Sequence, residues 1–230
     1  MLHTAFKKTD ESQELLTRMH ATLFNKLRRC ILLLLSLHCL ITAASQQQEK
    51  KVTFGLKAGM GVSNLGPSFT DTAGGTYSYN SKASFSGGLR LFIPVNKNII
   101  FLPELVLIFK GAMESYDGDP NMYFFQSGYP VSLFYLEIPL NINYKIPVKS
   151  GQFLIGGGPA PAIKLANNYY GPNFSRMIAY DLGINFLSCY QFPIGFSIEV
   201  NYNLGVANIG NDPDQPLRNK NFGISIGYAF

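Results

Sequence analysis

The sequence predicts an all-β protein, a closed eight-stranded antiparallel transmembrane β-barrel of the outer-membrane type, with short periplasmic turns and longer outer loops. Three observations carry this. Eight long stretches alternate large apolar residues with small or polar ones. The segments between them alternate strictly between long and short. The final stretch, Asn221 to Phe230, sets Phe222, Ile224, Ile226, Tyr228 and Phe230 against Gly223, Ser225, Gly227 and Ala229. A strand with lipid on one side and a crowded small lumen on the other needs that division.

Composition agrees. Charged residues make up 14% of the 230, well below the ~25% of soluble domains. Mean hydropathy is only +0.08, too polar for a bundle of membrane helices and normal for a barrel with every second residue facing inward. The net charge of +5 gathers at the start of the chain, where residues 1–45 carry six basic and three acidic groups. No Lys/Arg cluster lies beyond them, which argues against a nucleic-acid partner.

Residues 1–45 form an N-terminal extension plus a cleavable signal peptide. Lys26, Arg28 and Arg29 precede an apolar run from Cys30 to Ile41, and Ala43-Ala44-Ser45 supplies small residues for cleavage near Ser45/Gln46. The run is shorter than the ~20 residues a membrane helix requires. Met19 competes with Met1 as the start. His38 before Cys39 is too large for lipid attachment at that cysteine. Cleavage would remove His3, His20 and His38 and leave Cys189 as the sole cysteine, so the mature segment 46–230 would contain no histidine and no intrachain disulfide.

The eight stretches are taken in order. Val52–Ser63 points Phe54, Leu56, Met60 and Val62 one way, and Gly55, Lys57, Gly59 and Gly61 the other. Lys82–Ile93 opposes Phe85, Leu89 and Leu91 to Ser84, Ser86 and Arg90. Ile99–Lys110 is apolar on both faces and holds Glu104 and Lys110 in one parity. Val131–Ile146 alternates most cleanly, with Glu137, Asn141, Asn143 and Lys145 on the polar side. Gln152–Lys164 is rich in Gly and Pro. Met177–Tyr190 carries Asp181, and Phe192–Val206 carries Glu199. Asn221–Phe230 completes the set. At ~10–16 residues these runs exceed ordinary strands and match a tilted membrane crossing. The long connections are 64–81, 111–130, 165–176 and 207–219, and the short ones are 94–98, 147–151 and 191–193. Lipid tolerates no open sheet edge, so the first strand closes on the eighth. Alternation alone equally describes a soluble sandwich or lipocalin turned inside out. Strand length, loop alternation and the apolar last strand favour the membrane.

The same parity gathers Lys57, Arg90, Lys110 and Lys145 with Glu104, Glu137, Asp181 and Glu199 inside, four charges against four. An eight-stranded barrel is filled by its side chains, so these charges are expected to form a structural ion-pair network. A polar conduction path is the competing reading. No catalytic, metal or cofactor residues emerge. The usual chemistry of small-barrel enzymes relies on His as a base, and 46–230 has none, so a non-enzyme is expected; a carboxylate-only mechanism, for example Glu137 with Glu199, is the formal alternative, and both residues read more readily as lumen ion pairs. Asp117-Gly118-Asp119-Pro120-Asn121 and Asn211-Asp212-Pro213-Asp214 lack EF-hand spacing and read as turns more readily than as Ca²⁺ sites. Gly157-Gly158-Pro159 is followed by neither Lys-Ser/Thr nor a helix, so it is no phosphate loop. Tyr77, Tyr79, Tyr116, Tyr123, Tyr129, Tyr169 and Tyr170 crowd the outer loops and strand tops, as an interface belt or as a binding surface.

Tyr135-Leu136-Glu137-Ile138-Pro139-Leu140-Asn141-Ile142-Asn143-Tyr144-Lys145 resembles the mid-barrel motif of the Bacteroidota outer-membrane β-barrel family that includes PorT-like and "porin family" proteins. Gly156-Gly157-Gly158-Pro159, Asp181-Leu182-Gly183 and Asn201-Tyr202-Asn203-Leu204-Gly205-Val206-Ala207-Asn208-Ile209 extend the likeness in order over residues 50–230. The resemblance implies export to the outer membrane and a structural or interaction role in envelope assembly or protein secretion. A narrow porin-like channel and a soluble secreted binder are the alternatives. Ile226, Tyr228 and Phe230 resemble the signal read by the barrel-assembly machinery. The implied partners are outer-membrane lipid, that machinery and secretion-system or envelope proteins.

Overall fold

The computed structural model describes residues 51–70, 74–118, 128–168, 178–210 and 216–230. The signal peptide, most of the two acidic loops, and Tyr123, Tyr169 and Tyr170 lie outside them. Eleven strands form a single antiparallel sheet: β1 (Thr53–Gly66), β2 (Phe69–Thr70), β3 (Thr76–Asn80), β4 (Lys82–Pro94), β5 (Ile99–Asp117), β6 (Tyr129–Glu137), β7 (Leu140–Val148), β8 (Gly151–Asn167), β9 (Tyr180–Gln191), β10 (Phe196–Gly205) and β11 (Arg218–Ala229).

Nine of these strands, all but β2 and β3, make an eight-stranded wall. β6 and β7 are one wall strand: both pair with β5 on one side and β8 on the other, in a register that runs unchanged past Ile138-Pro139. Proline has no N–H to give the ladder, so strand pairing lapses there, although Pro139 O still accepts from Glu104 N at 2.9 Å. β1 pairs with both β4 and β11, which closes the ring. A hydrogen-bonding row followed round the wall from Thr53 passes Phe92, Leu102, Asn141, Gly158, Asn185, Asn203 and Asn221 and returns to β1 at Ser63, ten residues along. Such stagger tilts the strands by ~35–45°.

Outward positions are paved with large apolar side chains, Phe54, Leu56, Met60 and Val62 on β1 and Ile224, Ile226 and Tyr228 on β11, all of them exposed. From Phe222 to Phe230 the outward row of β11 covers ~27 Å of strand. At ~40° of tilt this gives ~20 Å of height, most of the ~25 Å apolar band of such barrels. Lys220 and Arg218, exposed just beyond Phe222, mark its outer limit.

The structure corrects several boundaries. β1 and β5 run on to Gly66 and Asp117, and β3 pairs with the top of β5, so the long connections 64–81 and 111–130 are partly strand. The seventh wall strand starts at Phe196, and the sixth at Tyr180. Phe192 to Gly195 is a turn in which Gly195 has φ +88°, a left-handed conformation that glycine adopts without penalty. Ile194 sits on that turn and not on the lipid-facing row.

Candidate functional site

The lumen is built in tiers. At the short-turn end Phe92, Ile100, Leu102, Leu154, Leu187 and Cys189 form a buried apolar floor. Above it lies a cross-braced tetrad. Lys57 Nζ is 2.8 Å from both Glu104 Oε2 and Glu199 Oε1. Arg90 binds the same two carboxylates from its other edges, Nε at 3.3 Å from Glu104 Oε1 and Nη2 at 2.9 Å from Glu199 Oε2. Arg90 also lies 5.9 Å from the Phe92 ring centroid. Gly55 and Gly227 make room for it: a Cβ at Gly55 would stand 3.1 Å from Arg90 Cγ, and one at Gly227 3.6 Å from Arg90 Cζ.

A second cluster stands nearer the loops. Lys110 Nζ is 3.0 Å from Glu137 Oε2 and 3.7 Å from Asp181 Oδ2, over the Tyr135 ring at 4.7 Å. Asn203 Nδ2 donates to Glu137 Oε1 at 3.0 Å, and Asn219 Nδ2 donates to Asp181 Oδ2 at 2.6 Å. Between the clusters is a cavity of about 20 Å³ whose lining includes Ser84, Ser86, Asn185, Asn201 and Asn221. That is room for about one water. Leu65, Ala112, Val131, Leu133, Ile209 and Leu217 close the loop end as an apolar cap. Over it the β3 hairpin packs Tyr77 between Phe69 and Tyr116, at 4.6 and 4.7 Å between centroids. Burial first, then the nearby Glu114 carboxylate, pushes the Tyr79 phenol well above the ordinary range.

Seven of the eight charges expected in the lumen, Lys57, Arg90, Glu104, Lys110, Glu137, Asp181 and Glu199, thus fall into two clusters. Lys145 does not join them. It keeps the inward parity but lies below Asn143 near the short turns, partly exposed and with no ion pair among the described residues. Parity says which way a side chain points and not how high it stands. The count therefore becomes three cations against four carboxylates. Nor is the lumen polar throughout, since apolar tiers close both ends. The buried asparagines were not singled out in advance. Their signal is the spacing Asn-x-Asn on the inward parity, present at Asn141/Asn143, Asn201/Asn203 and Asn219/Asn221.

Among solved structures, the chain resembles the outer-membrane enzyme PagL (10% identity, 76% of this chain and 98% of that one, TM-score 0.45). It also resembles Neisserial surface protein A (9%, 79% and 100%, 0.47) and the attachment invasion locus protein Ail of Yersinia pestis (11%, 78% and 99%, 0.38). No curated protein matches. The family model described as outer membrane protein beta-barrel domain matches residues 44–230, the full extent of the tiered barrel, and the chain therefore belongs to that family of outer-membrane proteins.

Proposed function

We propose that the protein is a sealed, non-catalytic barrel that serves the envelope as a structural or interaction component, in protein secretion or envelope assembly as the PorT-like resemblance implies. The observation that carries this reading is the filled lumen. Two buried charge clusters between two apolar tiers leave a cavity of about 20 Å³, whereas a solute path needs a continuous wet lumen. The absence of histidine from residues 46–230 supports a role without acid–base catalysis. Work then falls to the outer loops, the β3 hairpin and the lipid-facing wall. β11, with its small inner and large outer face, is the strand we assign to recognition by the assembly machinery, through Ile226, Tyr228 and Phe230.

Planar-bilayer recording of the purified barrel tests the seal. No steady conductance is expected; a stable single-channel step would replace this reading with the porin-like one. Comparing secreted and outer-membrane proteins with and without the gene tests the envelope role, and identical profiles would remove it.

A further inference from the structure

At the short-turn end, around and below the apolar floor, every charged side chain among the described residues is a lysine: Lys51, Lys97, Lys145 and Lys149. The described aspartates and glutamates all stand higher, in the two lumen clusters or toward the loops. Three of the lysines belong to two neighbouring hairpins. Lys97 is exposed in the turn between β4 and β5, and Lys149 in the turn between β7 and β8. Lys145 joins the two, since its backbone N–H donates to Asn98 O at 2.7 Å. None of the three has an ion pair among the described residues. Like charges grouped in this way repel one another unless an anion from outside the chain joins them.

Two tyrosines fix the depth of these turns in the membrane. Tyr144, exposed on the lipid-facing row of β7, accepts a hydrogen bond from Asn98 Nδ2 at 3.0 Å. Tyr190, on the lipid-facing row of β9, donates to Ser150 O at 2.9 Å. Its ring packs on Phe153 and Phe192, at 4.8 and 4.7 Å between centroids. Amphipathic rings of this kind lie where hydrocarbon gives way to headgroups. Their hydroxyls are bonded to Asn98 and Ser150, the sequence neighbours of Lys97 and Lys149, so both lysines stand at headgroup depth. The third short turn, Phe192 to Gly195, carries no charge and leaves Ile194 74% exposed. The basic face is therefore confined to one side of the mouth.

We propose that the β4–β5 and β7–β8 hairpins form a docking site for an anionic phospholipid of the leaflet that faces the short turns, its phosphate held by Lys97, Lys145 and Lys149. Ammonium groups bind phosphate as point charges, and lysines at a membrane surface draw acidic lipids to it. Tyr144 and Phe153, exposed on the wall above, give the acyl chains an apolar surface continuous with the rest of the barrel. An acidic soluble protein would match the charge, but it would not need lysines that tyrosine hydrogen bonds hold at headgroup depth.

The chain contains no tryptophan, so one introduced at the site reports on its own surroundings. Val148→Trp puts a reporter beside Lys149, and Ile194→Trp puts one on the uncharged turn. Each is refolded into phosphatidylcholine vesicles that contain either brominated phosphatidylglycerol or an equal amount of brominated phosphatidylcholine. Quenching then measures which lipid sits against the reporter. In Val148→Trp phosphatidylglycerol should be preferred at least about threefold, and the preference should shrink as salt rises from about 0.05 M to about 1 M. In Ile194→Trp the two lipids should quench alike. Adding Lys97→Gln, Lys145→Gln and Lys149→Gln to the Val148→Trp chain should abolish the preference, and heat-modifiability gels establish that each variant is folded. Equal quenching by the two lipids in Val148→Trp overturns the proposal. So does a preference of the same size in Ile194→Trp, or one that survives the triple substitution. Salt-sensitive binding of polyglutamate in place of any lipid preference would assign the lysines to an acidic protein instead.

Discussion

Lys57 and Glu199 stand 142 positions apart in sequence and meet in the lumen at 2.8 Å, with 6% and 1% of their side chains exposed. Lys57 reaches Glu104 at the same distance, so one ammonium ties β1 to β5 and to β10. The pairing is a brace across the barrel interior, in addition to the hydrogen bonds that run around its wall.

Breaking that brace on one side should be costly. Lys57→Met leaves Arg90 alone against two buried carboxylates and should destabilise by about 3–5 kcal/mol, the usual effect of orphaning one partner of a buried pair. Adding Glu199→Gln restores the local charge balance and should recover part of the loss. The check is the temperature at which the heat-modifiable folded form is lost on SDS gels. A single variant as stable as wild type would mean that Lys57 is not braced in the membrane.

The floor is expected to hold independently of the charges. Leu154 is fully buried among Phe92, Leu102 and Leu187, and Leu154→Ala should cost about 2–5 kcal/mol through lost burial and the cavity left behind. Conductance should remain absent, because the Lys57–Arg90 tetrad still blocks the lumen above. A variant that loses stability and also conducts would show that the floor alone makes the seal.

How much of this was legible beforehand depends on the physical range of each signal. Alternation is local, so Phe222 through Phe230 and the seven other wall strands could be read directly. It also misled at Phe192 and Ile194, which keep the period through a turn that Pro193 and Gly195 mark. Lys145 was placed by parity alone, and parity continues past the membrane to the rim. The apolar tiers were visible in Ile99–Lys110 as a strand apolar on both faces, without its meaning. Asp181 and Asn219 meet across β10, through the registers of β9 with β10 and of β10 with β11, which no pattern within one strand encodes.

The β3 hairpin should respond to alkali. The Tyr79 phenol is held above its ordinary range by burial and by Glu114. A group whose folded pKa is raised contributes stability that is present below its unfolded value, about 10 for tyrosine, and is lost as pH climbs beyond it. Protease cleavage within 67–81 should therefore accelerate above about pH 10 in the wild type. Tyr79→Phe, with no proton to lose, should show a flatter pH profile over the same range. Identical profiles would remove Tyr79 as the cause.

The seam between β1 and β11 gives the sharpest steric contrast. A Cβ at Gly61 would lie 2.0 Å from Phe222 O and 2.7 Å from Gly223 Cα, both backbone atoms of the facing strand. Neither can move without parting β1 from β11, so Gly61→Ala should destabilise by at least about 1–3 kcal/mol and slow closure of the ring. Gly87, on the neighbouring β4, has Lys57 O at 3.9 Å as its nearest contact, so Gly87→Ala should leave both stability and yield near wild type. Refolding into detergent followed by heat-modifiability gels compares the two directly. Equal behaviour would mean that closure does not depend on the close approach of these backbones.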